Sequence, residues 1–314
     1  MLSNKLDSQV SLLDRLGDRY PYVLLLITCL CFSGNIVVGR GLHELVPPFA
    51  LTFWRWLLVA LILLPVCWPT LRRERRLIGE HRWLLLGLGF GSVTCYNGFF
   101  YLGLNYSTAI NGAMVTSIMP LLIAFMAWLV FAQVPGRLQG MGILLSFVGI
   151  LVVIAKGDLA VLMQFQFGRG DLWILVATFA WACYSIALRF VPPQLGGLTL
   201  VAITSVSGVV TLLPVFLWEL STGAVPVLNA NSYGGIVFLA LFPGVIAYLT
   251  FARGVASVGP VRAGVFLNST PLFAIAAAVL FLDERIYEYH LIGGAIIAAG
   301  LFLVSRQRQT PSSD

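Results

Sequence analysis

Six polar side chains lie deep inside the long apolar stretches of this sequence and pair off at near-constant spacing: Asn35 with Tyr184, Asn97 with Tyr248, and Ser117 with Asn268. A polar group in hydrocarbon is costly and usually faces a bundle interior or a wet cavity, where it can hydrogen-bond a solute. The alternative for each is a hydrogen bond to a neighbouring helix; as a set they favour a cavity. Rings accompany them. Trp181 lies mid-stretch beside Tyr184, and Tyr96, Tyr101, Tyr248 and Phe251 fall on other candidate cavity helices. Such rings stack on an apolar or aromatic solute, or pack against the core or lipid. Pro120 and Pro271 stand mid-stretch at matching places. Each removes a backbone donor and frees the carbonyl four residues earlier, on Thr116 and Leu267, which makes both prolines candidate hinges as well as ordinary kinks.

The ionisable residues narrow the chemistry. All 13 Asp and Glu residues fall in loops or near the ends of apolar stretches, so no carboxylate waits in the middle to hold a cationic solute or shuttle a proton. Arg55 alone lies well inside a stretch, about 10 Å from its nearer end by helical rise. It is expected to snorkel or to anchor that end of the bundle, the alternative being attraction of a solute carboxylate. No catalytic set emerges. His43, His81 and His290 sit at stretch edges in unrelated loops, and the glycines of Gly87-Leu88-Gly89-Phe90-Gly91 lie inside an apolar stretch rather than at a strand-to-helix turn. The five cysteines (Cys29, Cys31, Cys67, Cys95 and Cys183) show neither metal nor redox spacing and read as small apolar fillers. No enzyme activity, metal or cofactor is expected, and a nucleotide-driven pump is excluded because no phosphate-binding loop is present.

The elements that position these residues follow from composition. The chain is 59% hydrophobic and only 10% charged over 314 residues, with a mean hydropathy of +0.92, far from an ordinary soluble domain. Crossing a hydrocarbon layer roughly 30 Å thick takes about 20 mostly apolar residues in a helix. Uniformly apolar runs of that length are helices, not barrel strands. The expected spans are 22–41, 49–69, 82–103, 109–131, 137–155, 171–190, 197–219, 232–252, 260–282 and 288–304. Ten is the better count, although little more than Ala132 to Gly136 separates the fourth from the fifth and nine stays open. Trp54, Trp56, Trp68, Trp83, Trp173 and Trp218 fall near span ends, as interface belts require. With the N-terminus inside, 14 Lys and Arg residues fall on the cytoplasmic side and four outside, so both termini are expected in the cytoplasm. The run Arg72 to Arg76 is then a juxtamembrane basic loop, and no nucleic-acid partner is needed. Asp7, Asp14 and Asp18 argue against a cleaved signal peptide, and residues 5 to 16 read as a short amphipathic helix or a tail.

The second half repeats the first. Leu63-Leu64-Pro65-Val66 recurs as Leu212-Leu213-Pro214-Val215 at an offset of 149, which also pairs Phe32 with Trp181 and Arg40 with Arg189. At an offset of 151, Phe100, Gly103, Pro120, Gly142 and Gly149 meet Phe251, Gly254, Pro271, Gly293 and Gly300. Five helices per unit, an odd number, force the second unit to enter from the opposite side, and inverted repeats of this kind are an architecture of secondary transporters. On this topology the first member of each polar pair falls in the outer half of the membrane and the second in the inner half. The glycine-rich pairs Gly142 and Ser146, and Gly294 and Ala298, read as close helix-packing points.

With Phe32-Ser33-Gly34-Asn35, Arg55, the Gly103 to Pro120 segment and Phe281-Leu282-Asp283-Glu284-Arg285, the sequence resembles EamA-type members of the drug/metabolite transporter superfamily. The resemblance covers nearly the whole chain and implies export or exchange of metabolites, amino acids among them. It departs at Gln133, which stands where Glu284 stands in the second half.

The expected fold is all-α and integral to the membrane, with ten transmembrane helices as two inverted five-helix repeats at 22–155 and 171–304, a cytoplasmic segment at 1–21 and a tail at 305–314. The expected activity is secondary transport of small organic metabolites, neutral or aromatic amino acids foremost, across a bacterial-type inner membrane by alternating access. A facilitative exchanger, or a non-transporting membrane enzyme or assembly subunit, is the alternative. The solute and the lipid bilayer are the expected partners, with the protein a monomer or homodimer.

Overall fold

In the computed structural model, residues 20–132, 136–158 and 168–306 are described, and all their regular structure is helical. The first half holds α1 (Pro21–Gly41) and α2 (Pro48–Arg73). α3 follows in three pieces, Arg82–Gly89, a π-helical Phe90–Gly98 and Phe99–Tyr106. α4 joins Ala109–Thr116 to Met119–Phe131, and α5 is Arg137–Ile154. In the second half α6 is Arg169–Phe190 and α7 is Gly197–Ser221. α8 combines Ala230–Leu239, a π-helical Ala240–Ile246 and Ala247–Val258. α9 combines Pro260–Phe266, a 3-10 turn Leu267–Ser269 and Thr270–Leu282, and α10 is Glu288–Arg306. The expected amphipathic segment at residues 5 to 16 lies outside the described residues.

Besides a short helix at Arg75–Glu80, ten longer helical rods are thus present among the described residues, and the fourth and fifth are separate because Ala132 turns left-handed (φ 52°) at the end of α4. Its repeat counterpart Asp283 does the same (φ 53°) at the end of α9. Six rods, α1, α2, α4, α6, α7 and α8, are each long and apolar enough to cross a membrane. The largest departure from the expected spans is at the end of α8, which runs on to Val258. Hydropathy falls where a helix leaves the apolar layer, but backbone hydrogen bonding continues until a residue breaks it; here Gly259 (φ 83°) does so. The outward surface is apolar, with Leu272, Leu280, Phe281 and Leu144 all strongly exposed, which suits contact with lipid tails.

The halves are related by an inverted pseudo-two-fold. α2 packs on its counterpart α7, and α5 on its counterpart α10; α1 packs on α8 and α9 while α6 packs on α3 and α4. Counterparts run antiparallel. Glu219, near the end of α7, accepts hydrogen bonds from the Phe49 and Ala50 amides at the start of α2, at 3.1 and 2.7 Å. On α5 and α10, a Cβ at Gly149 would stand 2.7 Å from the Gly293 carbonyl, and one at Gly300 would stand 2.5 Å from that of Gly142. Two equivalent helices meeting antiparallel require the second half to run upside down. On α10 the points that meet α5 are therefore Gly293 and Gly300. Gly294 packs as expected but against α4, where a Cβ on it would stand 3.2 Å from the Met114 methyl; Ala298 is exposed, and Gly142 and Ser146 pack as expected, against Gly300.

Candidate functional site

Arg55 is where α1, α2 and α3 of the first unit converge. It stands on α2, seven residues beyond Pro48, and is 1% exposed. Its Nη1 donates to Asn35 Oδ1 on α1 at 2.7 Å and to Asn97 Oδ1 on α3 at 2.9 Å. It also donates to the Tyr101 hydroxyl, which in turn donates to Asn35 Oδ1 at 2.6 Å. The expectation that Arg55 snorkels is therefore corrected, while its bonds to α1 and α3 agree with an anchoring part in the bundle. A guanidinium snorkels when the interface is its nearest source of hydrogen-bond acceptors; here α1 and α3 bring three oxygens to it.

Asn97 reaches this node from the π segment of α3, whose wider turn changes which residues point inward. Its Nδ2 donates to the Ser92 carbonyl at 2.6 Å and to the Tyr248 hydroxyl at 3.1 Å. Tyr248 also donates to Ser92 O, at 3.3 Å. The pair Asn97 and Tyr248 was expected in opposite halves of the membrane, yet they touch. Repeat-related residues near the pseudo-axis must meet, and these two lie on it.

The rings make the opposite wall. Trp181 is fully buried and contacts Phe32, Tyr96, Tyr184, Tyr248 and Phe251 at centroid distances of 4.6 to 5.3 Å. Phe32 and Trp181, repeat counterparts, meet edge to face at 5.3 Å, so the axis passes between them. Beside this wall lies a small, partly open cavity of about 20 Å³ lined by Phe32, Ile36, Tyr96, Thr116, Met119, Leu267 and Thr270.

Asn35, Asn97 and Tyr101 thus join the node around Arg55, and Tyr96, Trp181, Tyr184, Tyr248 and Phe251 join the aromatic wall. Ser117 joins neither: its hydroxyl donates back to Ala113 O in its own helix at 3.3 Å. Asn268 falls in the 3-10 turn of α9, and its side chain lies outside the described residues. Pro120 and Pro271 stand mid-helix as expected, each just after a break in α4 or α9. Each occupies the first turn of a second helical piece, where a missing donor is harmless. The breaks precede them, with i to i−3 bonds at Ser117 (3.0 Å) and Ile118 (3.2 Å) in α4 and the 3-10 turn in α9.

Sequence reasoning gave Arg55 a binding role only as the alternative, and missed Phe32, Met119 and Thr270 in the cavity lining. The repeat held the signal for Phe32, which shares an offset with the singled-out Trp181. Trp56, expected in an interface belt, is fully buried and meets the Tyr248 ring at 4.9 Å. Trp54, Trp68, Trp83, Trp173 and Trp218 do remain at the surface. Two acidic groups serve as helix caps: Glu219 for α2, and Glu284, which accepts from the Ala109 and Ile110 amides of α4 at 2.8 and 3.0 Å. Gln133, the counterpart of Glu284, lies outside the described residues. His290 is buried rather than at a free edge; its Nδ1 accepts from the Tyr287 amide, which leaves Nε2 to donate to Asn111 Oδ1, both at 3.1 Å. Among the described residues no group of three His, Cys, Asp or Glu could hold a metal ion.

An inverted pair of helical units with polar and aromatic side chains gathered on its axis defines the class: a multi-pass membrane transporter of small solutes. The model of the EamA-like transporter family matches residues 19–155 and again residues 168–306, and the chain belongs to that family. An uncharacterized transporter of Archaeoglobus fulgidus is 28% identical over 293 residues, covering 91% of this chain and 98% of the relative. Uncharacterized transporter YyaM of Bacillus subtilis is 25% identical over 258 residues (82% and 84% of the two chains). A WAT1-related protein of Arabidopsis thaliana is 24% identical over 297 residues (89% and 68%). A protein of known crystal structure shares the fold with a TM-score of 0.64 at 18% identity, covering 91% of this chain and 96% of its own. The protein is a transporter and not an enzyme.

Proposed function

We propose that the protein is a secondary transporter that exports neutral or aromatic amino acids across a bacterial-type inner membrane by alternating access. The observation that carries this reading is the buried meeting of the Arg55 node and the Trp181 wall beside a central cavity. Polar atoms there orient a small solute and the rings accept an apolar body.

Two features favour alternating access. Repeat-equivalent π segments in α3 and α8, and breaks in α4 and α9 just before Pro120 and Pro271, put weak points at matching heights in both halves. The two ends of the bundle are also fastened differently. At the end where α2 begins, carboxylates of Glu219 and Glu284 cap neighbouring helices, and Ser107 donates to Asp171 at 2.6 Å. At the opposite end the ties include ring stacks such as Tyr22 on Phe266 and Phe131 on Phe190. Charge-assisted bonds are the stronger kind, which supports a state closed at the first end. The excess of basic residues at the other end supports a cytoplasmic location for that end and for both termini. Among the described residues no carboxylate reaches the centre, which favours facilitated or exchange transport over proton coupling.

The test is flux of labelled amino acids in liposomes holding the purified protein. Saturable flux above empty vesicles supports the reading; equal flux with and without protein, across a broad metabolite panel, sinks it.

A further inference from the structure

The centre of the bundle holds buried hydrogen-bond donors that meet no acceptor. Arg55 is 1% exposed, and its three partners, Asn35, Asn97 and Tyr101, are all neutral. The ion pairs found among the described residues join His43 to Glu44, Arg73 to Glu74 and Arg76 to Glu80, none near Arg55. Three buried nitrogens in the same cluster have no hydrogen-bond partner: Arg55 Nε, Trp56 Nε1 and Trp181 Nε1. Guanidinium and indole nitrogens only donate. Both indoles pack on the Tyr248 ring, at 4.9 and 5.2 Å, and the Arg55 guanidinium carbon lies 5.3 Å from the Trp56 ring. The Nε side of Arg55 faces the π segment of α8, where a Cβ on Gly244 would stand 3.7 Å away.

A buried cation without a counter-charge is unfavourable, and so is a buried donor without an acceptor. The cluster has both deficits at one place. A single kind of group answers both: an anion with two oxygens, matched to the fork of a guanidinium.

We propose that the transported solute presents a carboxylate to Arg55 while its apolar body lies against Phe32, Tyr96 and Trp181. This deepens, and rests on, the transport reading given above. The recognised class is the organic acid, amino acids included; amines lacking a carboxylate are rejected because nothing in the centre offsets their charge against Arg55. Binding also drives the conformational step. The carboxylate replaces the neutral amide oxygens of Asn35 and Asn97, which belong to α1 and α3, and frees those helices to move away from α2.

The experiment compares three solutes with one ring body in liposomes holding the full chain: phenylalanine, phenylpropionate and phenethylamine. Wild-type protein carries the first two and not the third. Asn35→Asp places a resident carboxylate beside Arg55, so it raises the thermal midpoint and lowers acid flux at least about tenfold. Arg55→Gln loses the flux as well, and Arg55→Lys retains part of it. Phenethylamine carried as well as phenylalanine, or acid flux undiminished in Asn35→Asp, overturns the carboxylate assignment while leaving transport intact. Should no solute of the three cross, transport of this class fails, and thermal shift judges the site: stabilisation by phenylpropionate in wild type but not in Asn35→Asp upholds it, and no shift in either overturns it.

Discussion

Arg55 on α2 and Thr204 on α7 occupy equivalent places in the two halves. Arg55 donates to residues on two other helices, whereas the Thr204 hydroxyl donates to Leu200 O and Val201 O of its own helix. The same division runs through the site. Asn35 and Asn97 in the first half correspond to Tyr184 and Tyr248 in the second, so the first unit alone contributes the charge and the amide oxygens. Both units contribute rings, Phe32 and Tyr96 from the first and Trp181, Tyr184, Tyr248 and Phe251 from the second. Away from the axis the halves agree, as the left-handed Ala132 and Asp283 and the glycine contacts of α5 with α10 show. Backbone symmetry suits the two related conformations that the proposed alternating access needs, but two guanidiniums facing each other across the axis would repel in a low-dielectric interior. The scaffold is duplicated and the site is divided.

Four measurements break or sharpen this contrast. The largest effect is expected for Trp181→Ala, which removes the ring that every other member of the wall touches; it should destabilise by about 3 to 5 kcal/mol and lower the thermal midpoint accordingly. Next come the symmetric contacts. Gly149→Ala and Gly300→Ala each drive a methyl into a carbonyl across the α5 and α10 crossing and should each cost about 1 to 3 kcal/mol, alike for the two halves; a wide gap between them would deny the symmetry. Asn97→Ala takes an acceptor from the buried guanidinium and should cost about 1.5 to 3 kcal/mol, whereas Tyr248→Phe on the equivalent position removes a neutral bond and should cost about 1 kcal/mol. Smallest is Thr204→Ala, expected to shift stability by at most about 1 kcal/mol with flux unchanged. A loss of transport there as large as for Arg55→Gln would show that the halves share the site equally.

Much of the scaffold was readable beforehand. Expected span limits and observed helix ends agree closely, because hydropathy is a local property measured against lipid and each residue votes independently. The repeat was readable for a related reason: prolines and glycines in apolar helices are constrained by the backbone, so Pro120 with Pro271 and Gly142 with Gly293 keep their spacing. The aromatic wall was readable in part, since Trp181 lies too far from any interface to be a belt residue. Trp56 was misjudged by the same rule, because closeness to a span end does not say which face of the helix is turned inward.

Composition and spacing alone determined a helical membrane protein of two inverted units with a polar, aromatic centre. Only the tertiary structure decided the fate of Arg55, whose partners lie 20, 42 and 46 residues away, and the contact of Asn97 with Tyr248 across 151 residues. Neither π segment has a signature in hydropathy, since inserting one residue into a turn leaves the apolar count unchanged and alters only direction. What a buried charge does depends on which acceptors the folded chain brings to it, and that is settled by packing between helices rather than by the order of residues within one.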